Sequence, residues 1–515
     1  MIVFETILVL LLGAVLLSML ARRIGVPYPT LLALGGGALA LVPGAPRLEL
    51  PSDLILALFV APILLDAAHD TSLRDMMRLW LPVSSLVIVA VGLTTTAVAI
   101  TVRWLFPDMP WGAAIALGAL LAPPDAVAAL AVMRQVTPPH RIRAVLEAES
   151  LLNDASSLLI YKLAVVAVVT GSYNVAGALP LFLLVSVGSV IAGFCLAKLI
   201  LHVTAEIDDA ATVTVVQFVA TFGVWLLAEH LALSGVVTIV VFGLTTARRT
   251  SLSEPARIRV ISFATWETIT FVLNVLAFTL IGLQLRPILE TLERSRQIEW
   301  LLYSAVVVVV VVVVRLAWVL LHGLASRLGT AITGRRAGRE TNAHSLKGAL
   351  VVGWAGMRGI VTLAAALALP EGFPYRDFIL LSAFTVVLGT LVVQGLTLRP
   401  LLRLLKLPAD DPIANELAVA RGTVLETAMR ILDESQDPAA ERLKHEYRAA
   451  LAYTCDGDDP GNSPYNRLRR DVMPSARQAL SALRATGRIG DEAYRQVEEE
   501  LDWGELSAQS SDRRN

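Results

Sequence analysis

The chain has 515 residues, 55% of them hydrophobic, 17% charged and 6% aromatic, with a formal net charge of −1. That composition is too apolar for an ordinary soluble domain and too long for one anchored helix, so it reads as a polytopic membrane protein. The near-zero charge by itself says nothing about an acidic or basic partner, and no nucleic-acid partner is expected; two cysteines, Cys195 and Cys455, cannot build a disulfide framework and are expected to be unpaired.

The first apolar stretch, 2–21, begins Met-Ile-Val-Phe-Glu without a basic leader and ends at Arg22-Arg23. It is expected to be a retained span rather than a cleaved signal. Further spans are expected at 27–43, 52–68, 80–105, 111–134, 141–170, 177–202, 211–230, 233–247, 258–285, 299–324, 345–370 and 376–405, about thirteen in all. Apolar runs such as Ala305–Val314 lie inside stretches far longer than a barrel strand, which excludes a β-barrel.

Lysines and arginines divide unevenly between alternate loops, with twenty on the side that begins at Arg22 and six on the side that includes Arg47 and Arg103. Cytoplasmic loops carry the excess, so the N-terminus is expected outside and the C-terminus in the cytoplasm. From about Pro408 the hydropathy collapses. Helical patterns follow at Asn415–Glu434, Ala439–Cys455, Asn466–Ala485 and Asp491–Leu501, with the turn-rich stretch DGDDPGNSP (Asp456–Pro464) between them. The expected division is a membrane domain over 1–407 and a cytosolic helical tail over 408–515. The tail carries no catalytic constellation, and the chain is not expected to be an enzyme.

Several ionisable residues fall inside the apolar spans: Asp66, Asp125, Glu149, Asp154, Lys162, Glu267, Arg315 and Arg358. A charge at the centre of a membrane helix costs on the order of 3 kcal/mol on insertion scales, so each needs a reason. Lys162, Asp66 and Glu267 read as residues that reach the headgroups or pair structurally. The others sit deeper. A rise of about 1.5 Å per residue puts Asp154 roughly 20 Å and Glu149 roughly 12 Å into their span. Arg315 lies at a depth similar to that of Glu149, in a helix running the other way. An arginine keeps its proton and needs a buried anion, so a structural Glu149–Arg315 ion pair is expected.

Glu149 and Asn153 share one helical face, and Ser150 and Asp154 share the adjoining one. With Glu149 committed, Asp154 is the carboxylate left over. A desolvated aspartate can hold a proton or a small cation, but not both well. Two spans are also broken: LLAPPDAVAAL (Leu120–Leu130) by Pro123 and Pro124 beside Asp125, and GWAGMRGIVTL (Gly353–Leu363) by three glycines around Arg358. They are the fifth and twelfth spans, seven apart and oppositely directed. An inverted repeat of spans 1–6 and 8–13 demands that relation, and interrupted helices in matching places point to a substrate site. Asp125 and Arg358 carry the signs that offset the exposed helix ends.

At VAPILLDAA (Val60–Ala68), PPDAVAA (Pro123–Ala129), ESLLNDASSLL (Glu149–Leu159), WETITFVLNVLAFTLIGLQL (Trp266–Leu285) and WAGMRGIVTLAAALALP (Trp354–Pro370) the chain resembles the monovalent cation/proton antiporters of the sodium/proton exchanger type, family 1. The segments occur in the family's order across about 400 residues. The resemblance implies an all-α homodimer of inverted six-helix repeats with two crossing discontinuous helices, in which a core domain moves against a dimerisation domain. It also implies that Asp154 binds the transported Na⁺ (or K⁺ or Li⁺) or the proton, with Ser150 as a further ligand of the ion and Asp125 and Asn153 at the site. The Asn153-Asp154 pair is the form associated with electroneutral exchange. Arg477–Asp491 is similar to the cytosolic extensions of bacterial members. One departure is Pro124, where many relatives place Thr.

The expected partners are therefore the transported cation, the proton, the lipid bilayer of the cell membrane and a second copy of the chain, with no cofactor. No Gly-rich nucleotide loop appears. A cation channel and a membrane sensor with a signalling tail are the competing classes; a channel would call for a filter-like carbonyl run, which the sequence lacks.

Overall fold

In a computed structural model, residues 2–43, 51–133, 138–171, 175–253, 256–290, 292, 296–333, 346–407, 412–455, 463–486, 488 and 491–508 are described. Among them all regular structure is helical. The chain divides into two compact units, Met1–Ala409 and Asp410–Asn515.

Helix occupies each apolar segment picked out above. In chain order the first unit contains α1 (Ile2–Ile24), α2 (Tyr28–Ala40), α3 (Ser52–Ile55), α4 (Ala61–Asp70), α5 (Leu73–Arg78), α6 (Trp80–Ser84), α7 (Val91–Leu105), α8 (Trp111–Leu121) and α9 (Ala126–Met133). There follow α10 (His140–Thr170), α11 (Val175–Thr204), α12 (Ala210–His230), α13 (Gly235–Ser253), α14 (Ala256–Leu283), α15 (Leu285–Glu290), α16 (Gln297–Thr333), α17 (Leu346–Trp354), α18 (Ile360–Leu367) and α19 (Arg376–Leu405). Among the described residues nine helical stretches are long and apolar enough to cross a membrane, with Tyr28–Ala40 and Gly235–Arg248 as shorter apolar helices.

Two wide turns were not visible in the apolar pattern. Leu56–Val60 joins α3 to α4 and Ser85–Ala90 joins α6 to α7 in π-helical geometry. Such turns free backbone carbonyls: Val87 O accepts a bond from the Ser156 hydroxyl of α10 at 3.4 Å. Of the arginines in the charge count above, Arg47, Arg134, Arg294, Arg335, Arg336 and Arg339 lie outside the described residues.

The helices of this unit pack in two groups. In one, α10 lies on α8 and α17, α7 on α8, and α16 on α7, α17 and α19. In the other, α14 lies on α2, α1, α12 and α4, and α13 on α11, α12 and α4. At one end of the first group the rings of Phe106, Trp300, Tyr303, Tyr375 and Phe378 meet, largely edge to face, where α7 ends and α16 and α19 begin. Ring pairs of this kind add about 0.5–1.5 kcal/mol each beyond their buried area.

In the second group α2 and α14 approach backbone to backbone. A Cβ on Gly282 would strike the Ala33 carbonyl and the Gly37 amide, and one on Gly36 the Thr279 carbonyl. In lipid, where apolar surface gains little from hiding, such close van der Waals packing holds helices together. Gly282→Val is expected to destabilise the protein by about 1–3 kcal/mol through overpacking. Thermal unfolding in detergent would register it, with Gly13→Ala, where nothing lies within 4 Å of the new methyl, as the silent control.

The second unit holds α20 (Pro412–Asp433), α21 (Pro438–Cys455), α22 (Pro464–Ala485) and α23 (Asp491–Ala508). Lys444 bridges Asp433 and Glu441, both at 2.9 Å, tying α20 to α21. Arg477 bridges Asp502 at 2.5 Å and Glu505 at 2.7 Å, tying α22 to α23.

Candidate ion-binding site

Both broken spans are interrupted in the structure, and the breaks touch. α8 stops at Leu121 and α9 starts at Ala126; α17 stops at Trp354 and α18 starts at Ile360. The Asp125 amide donates to the Met357 carbonyl at 2.6 Å, so one unwound segment lies across the other.

Four helix ends therefore converge inside the bundle, two carrying unpaired carbonyls and two carrying unpaired amides. Arg358, 0% exposed, serves the first kind. Its Nε donates to Leu121 O at 3.0 Å, Nη2 to Ala122 O at 3.4 Å and Nη1 to Gly356 O, which closes the carbonyl end of α8. Its backbone amide donates to the Thr390 hydroxyl at 3.1 Å. Asp125 serves the second kind. Its Oδ1 accepts from the Val127 amide at 2.8 Å, at the start of α9, and its carboxylate presses against Gly359, the residue that precedes α18. Ser150 Oγ accepts from the Ala126 amide at 3.2 Å, so α10 joins the same junction.

Glycine is required at 359 by proximity, since its backbone lies in the ordinary extended region. A Cβ there would overlap the Asp125 carboxylate. Gly359→Ala is expected to displace Asp125 and reduce transport at least about tenfold, because misplacing a positioned group by about 1 Å can cost far more than that. Flux through vesicles containing correctly folded variant, checked by its helical circular dichroism, would measure this.

On α10, Glu149 (0% exposed) and Arg315 of α16 (2% exposed) form a two-pronged pair: Nη1 to Oε1 at 2.5 Å and Nη2 to Oε2 at 2.9 Å. Arg315 Nη2 also donates to Val352 O at 3.2 Å, near the carbonyl end of α17. The guanidinium group lies over Gly356, where a side chain would occupy its place. Asn153 Nδ2 donates to Glu149 Oε1 at 3.1 Å, which orients the amide, while its Oδ1 is buried with no partner among the described residues.

Asp154 is different. It is 7% exposed, and no hydrogen-bond donor or cation among the described residues is paired with its carboxylate. The nearby charge that bears on it is that of Asp125. An anionic oxygen pair held this deep among buried side chains calls for a proton, a cation or a counter-charge, and the described residues supply no fixed one.

The remaining sequence-flagged charges lie elsewhere. Asp66 is half-buried in α4 and Glu267 is exposed on α14. Lys162 is bound by both carboxylate oxygens of Glu229 on α12, at 2.8 and 3.0 Å. Glu229 was not flagged from sequence, although it is an ionisable residue within the apolar segment 211–230. Tyr161, seven residues after Asp154 on the same helical face, was also missed; its hydroxyl donates to Ala365 O of α18 at 2.8 Å. Pro124 is buried at the break and has no amide hydrogen to offer.

Two interrupted helices meeting inside an apolar helical bundle, with buried acidic and basic groups at the crossing, define a multi-pass membrane transporter. The family model for the transmembrane sodium/hydrogen exchanger matches residues 7–404, and the chain belongs to that family. It is 30% identical, over 80% of its length, to the "Sodium, potassium, lithium and rubidium/H(+) antiporter" of Bacillus pumilus, of which it spans 63%. An uncharacterized Na(+)/H(+) exchanger of Mycobacterium tuberculosis is also 30% identical, over 97% of this chain and 95% of its own. The sodium proton antiporter MjNhaP1 of Methanocaldococcus jannaschii shares the fold, with a TM-score of 0.60 at 18% identity over 80% of this chain and 99% of that one.

Proposed function

We propose that the protein is a secondary active antiporter that exchanges Na⁺, or K⁺ or Li⁺, for H⁺ across the cell membrane by alternating access. The observation that carries this reading is the contrast on α10 between Glu149, bound by Arg315, and Asp154, about one turn further on, without a fixed partner among the described residues. A single uncommitted carboxylate holds one monovalent ion at a time, so each turnover moves one cation one way and one proton the other, with no net charge.

In this reading Asp154 binds the substrate ion, Ser150 and Asn153 line its place, and Asp125 and Arg358 keep the crossing neutral enough to stay packed. The α6–α10 and α16–α19 group is the moving core, and the α1, α2, α4 and α11–α14 group is the scaffold, through which two copies assemble in the lipid bilayer. The thirteen helical segments form inverted repeats of six, with the N-terminus outside and the unit 408–515 as a cytosolic helical tail.

Reconstituted vesicles test the reading. An imposed gradient of Na⁺, K⁺ or Li⁺ is expected to drive a saturable pH change that requires no ATP and builds no membrane potential. Conductive flux that persists in Asp154→Asn would establish a channel. Unchanged internal pH with intact protein would leave the sensor.

A further inference from the structure

Lys162 and Glu229 play no part in the site described above, yet their pairing crosses the line between the two helix groups. Lys162 lies eight residues beyond Asp154, about 12 Å along α10 at the helical rise, toward the end of that helix. Glu229 is the penultimate residue of α12, and its Oε1 also accepts the Gly235 amide at 3.4 Å, at the first residue of α13. The α12–α13 hairpin thus fixes the carboxylate, and α10 delivers the ammonium group to both of its oxygens. At the opposite end of α10, His140 faces Asp75 at 3.7 Å, but α5, which carries Asp75, packs on α6 of the same group as α10. Beyond Asp154, the helix that bears it is thus tied by an ion pair to the α12–α13 hairpin of the other group.

We infer that the Lys162–Glu229 ion pair is a conformation-selective latch, closed in the state seen here and opened when α10 and its group move against α12 and α13. The inference rests on the antiport reading, because alternating access is what requires that relative movement. A contact made in only one of two facing states biases their ratio, and a contact that cannot open halts the cycle. The pair is about half exposed, with side-chain exposures of 48% and 40%, so it is weak enough to break in each turnover. Its function is selection between states rather than stability.

The test uses the full chain in vesicles, with Cys195 and Cys455 changed to serine and with Lys162→Cys and Glu229→Cys introduced. A bifunctional thiosulfonate reagent long enough to span the replaced side chains links the two positions, and a reductant releases them. Linking is expected to lower Na⁺-driven proton movement at least about tenfold, with recovery on reduction, because the cycle needs both states. A monofunctional reagent of the same kind is expected to leave most of the activity. A second pair of variants gives an independent reading: Lys162→Glu alone alters the apparent Na⁺ affinity, and adding Glu229→Lys restores it. Linked protein that exchanges within about twofold of the unlinked protein would overturn the latch while leaving antiport standing. Single and double charge variants with purely additive effects would overturn it too. Absence of exchange in the unsubstituted protein would instead remove the antiport reading on which the latch rests.

Discussion

Replacing Asp154 with asparagine is expected to abolish coupled exchange while leaving the protein folded. The amide keeps the shape and polarity of the side chain but can neither take up a proton nor supply full anionic charge to a cation. Since nothing among the described residues is paired with the carboxylate, the substitution strands no partner. It also removes a charge from a site where charge is costly, so thermal stability in detergent should be unchanged or higher. Loss of exchange with retained or increased stability is the signature of a residue kept for its chemistry. A variant that lost both would mark Asp154 as structural.

Arg315→Ala is expected to do the opposite. Glu149 would be left 0% exposed without its counter-charge, and breaking a buried pair from one side costs about 3–5 kcal/mol. Val352 O would lose a donor as well, which loosens the end of α17 beside the crossing. Glu149→Gln combined with Arg315→Met should recover most of the lost stability, since no unpaired charge then remains. Unfolding midpoints of the single and double variants, run as a cycle, measure the coupling. A single Arg315→Ala variant with unchanged stability and transport would refute the structural assignment of this pair.

The opposite signs of these two expectations follow from one asymmetry on α10. Two carboxylates five residues apart differ in whether the fold answers them. Glu149 meets a cation whose own burial depends on it, so neither can leave. Asp154 has no cation paired with it among the described residues. In the proposed reading, the anion that the described residues leave unanswered is the one that takes the mobile ion.

Much of this was legible in the sequence for reasons of scale. Membrane spans are long and apolar, so their places follow from hydropathy. Charges inside them are rare enough for Glu149, Asp154, Arg315 and Arg358 to stand out at once. Pro123-Pro124 and the glycines around Arg358 marked the breaks because proline and glycine act on the local backbone. What was not legible depends on how distant segments are brought together. That Arg358 reaches back to Leu121 and Ala122, that Gly359 makes room for Asp125, and that Lys162 finds Glu229 are facts of packing between segments 67 to more than 230 residues apart. The π-helical turns at Leu56–Val60 and Ser85–Ala90 leave no mark in an apolar pattern, because they are built almost wholly of the same apolar residues as the α-helices on either side.

The most direct test of competition at one carboxylate is to titrate weakly buffered, detergent-purified protein with NaCl and count the protons released per Na⁺ bound. The expected result is release of about one proton per bound Na⁺ at pH values where the carboxyl is protonated, falling toward zero at higher pH where it is already ionised, with Na⁺ binding weaker as pH falls and the release lost in Asp154→Asn. Na⁺ binding that releases no proton at any pH and does not weaken as pH falls, or release that survives in Asp154→Asn, would contradict it.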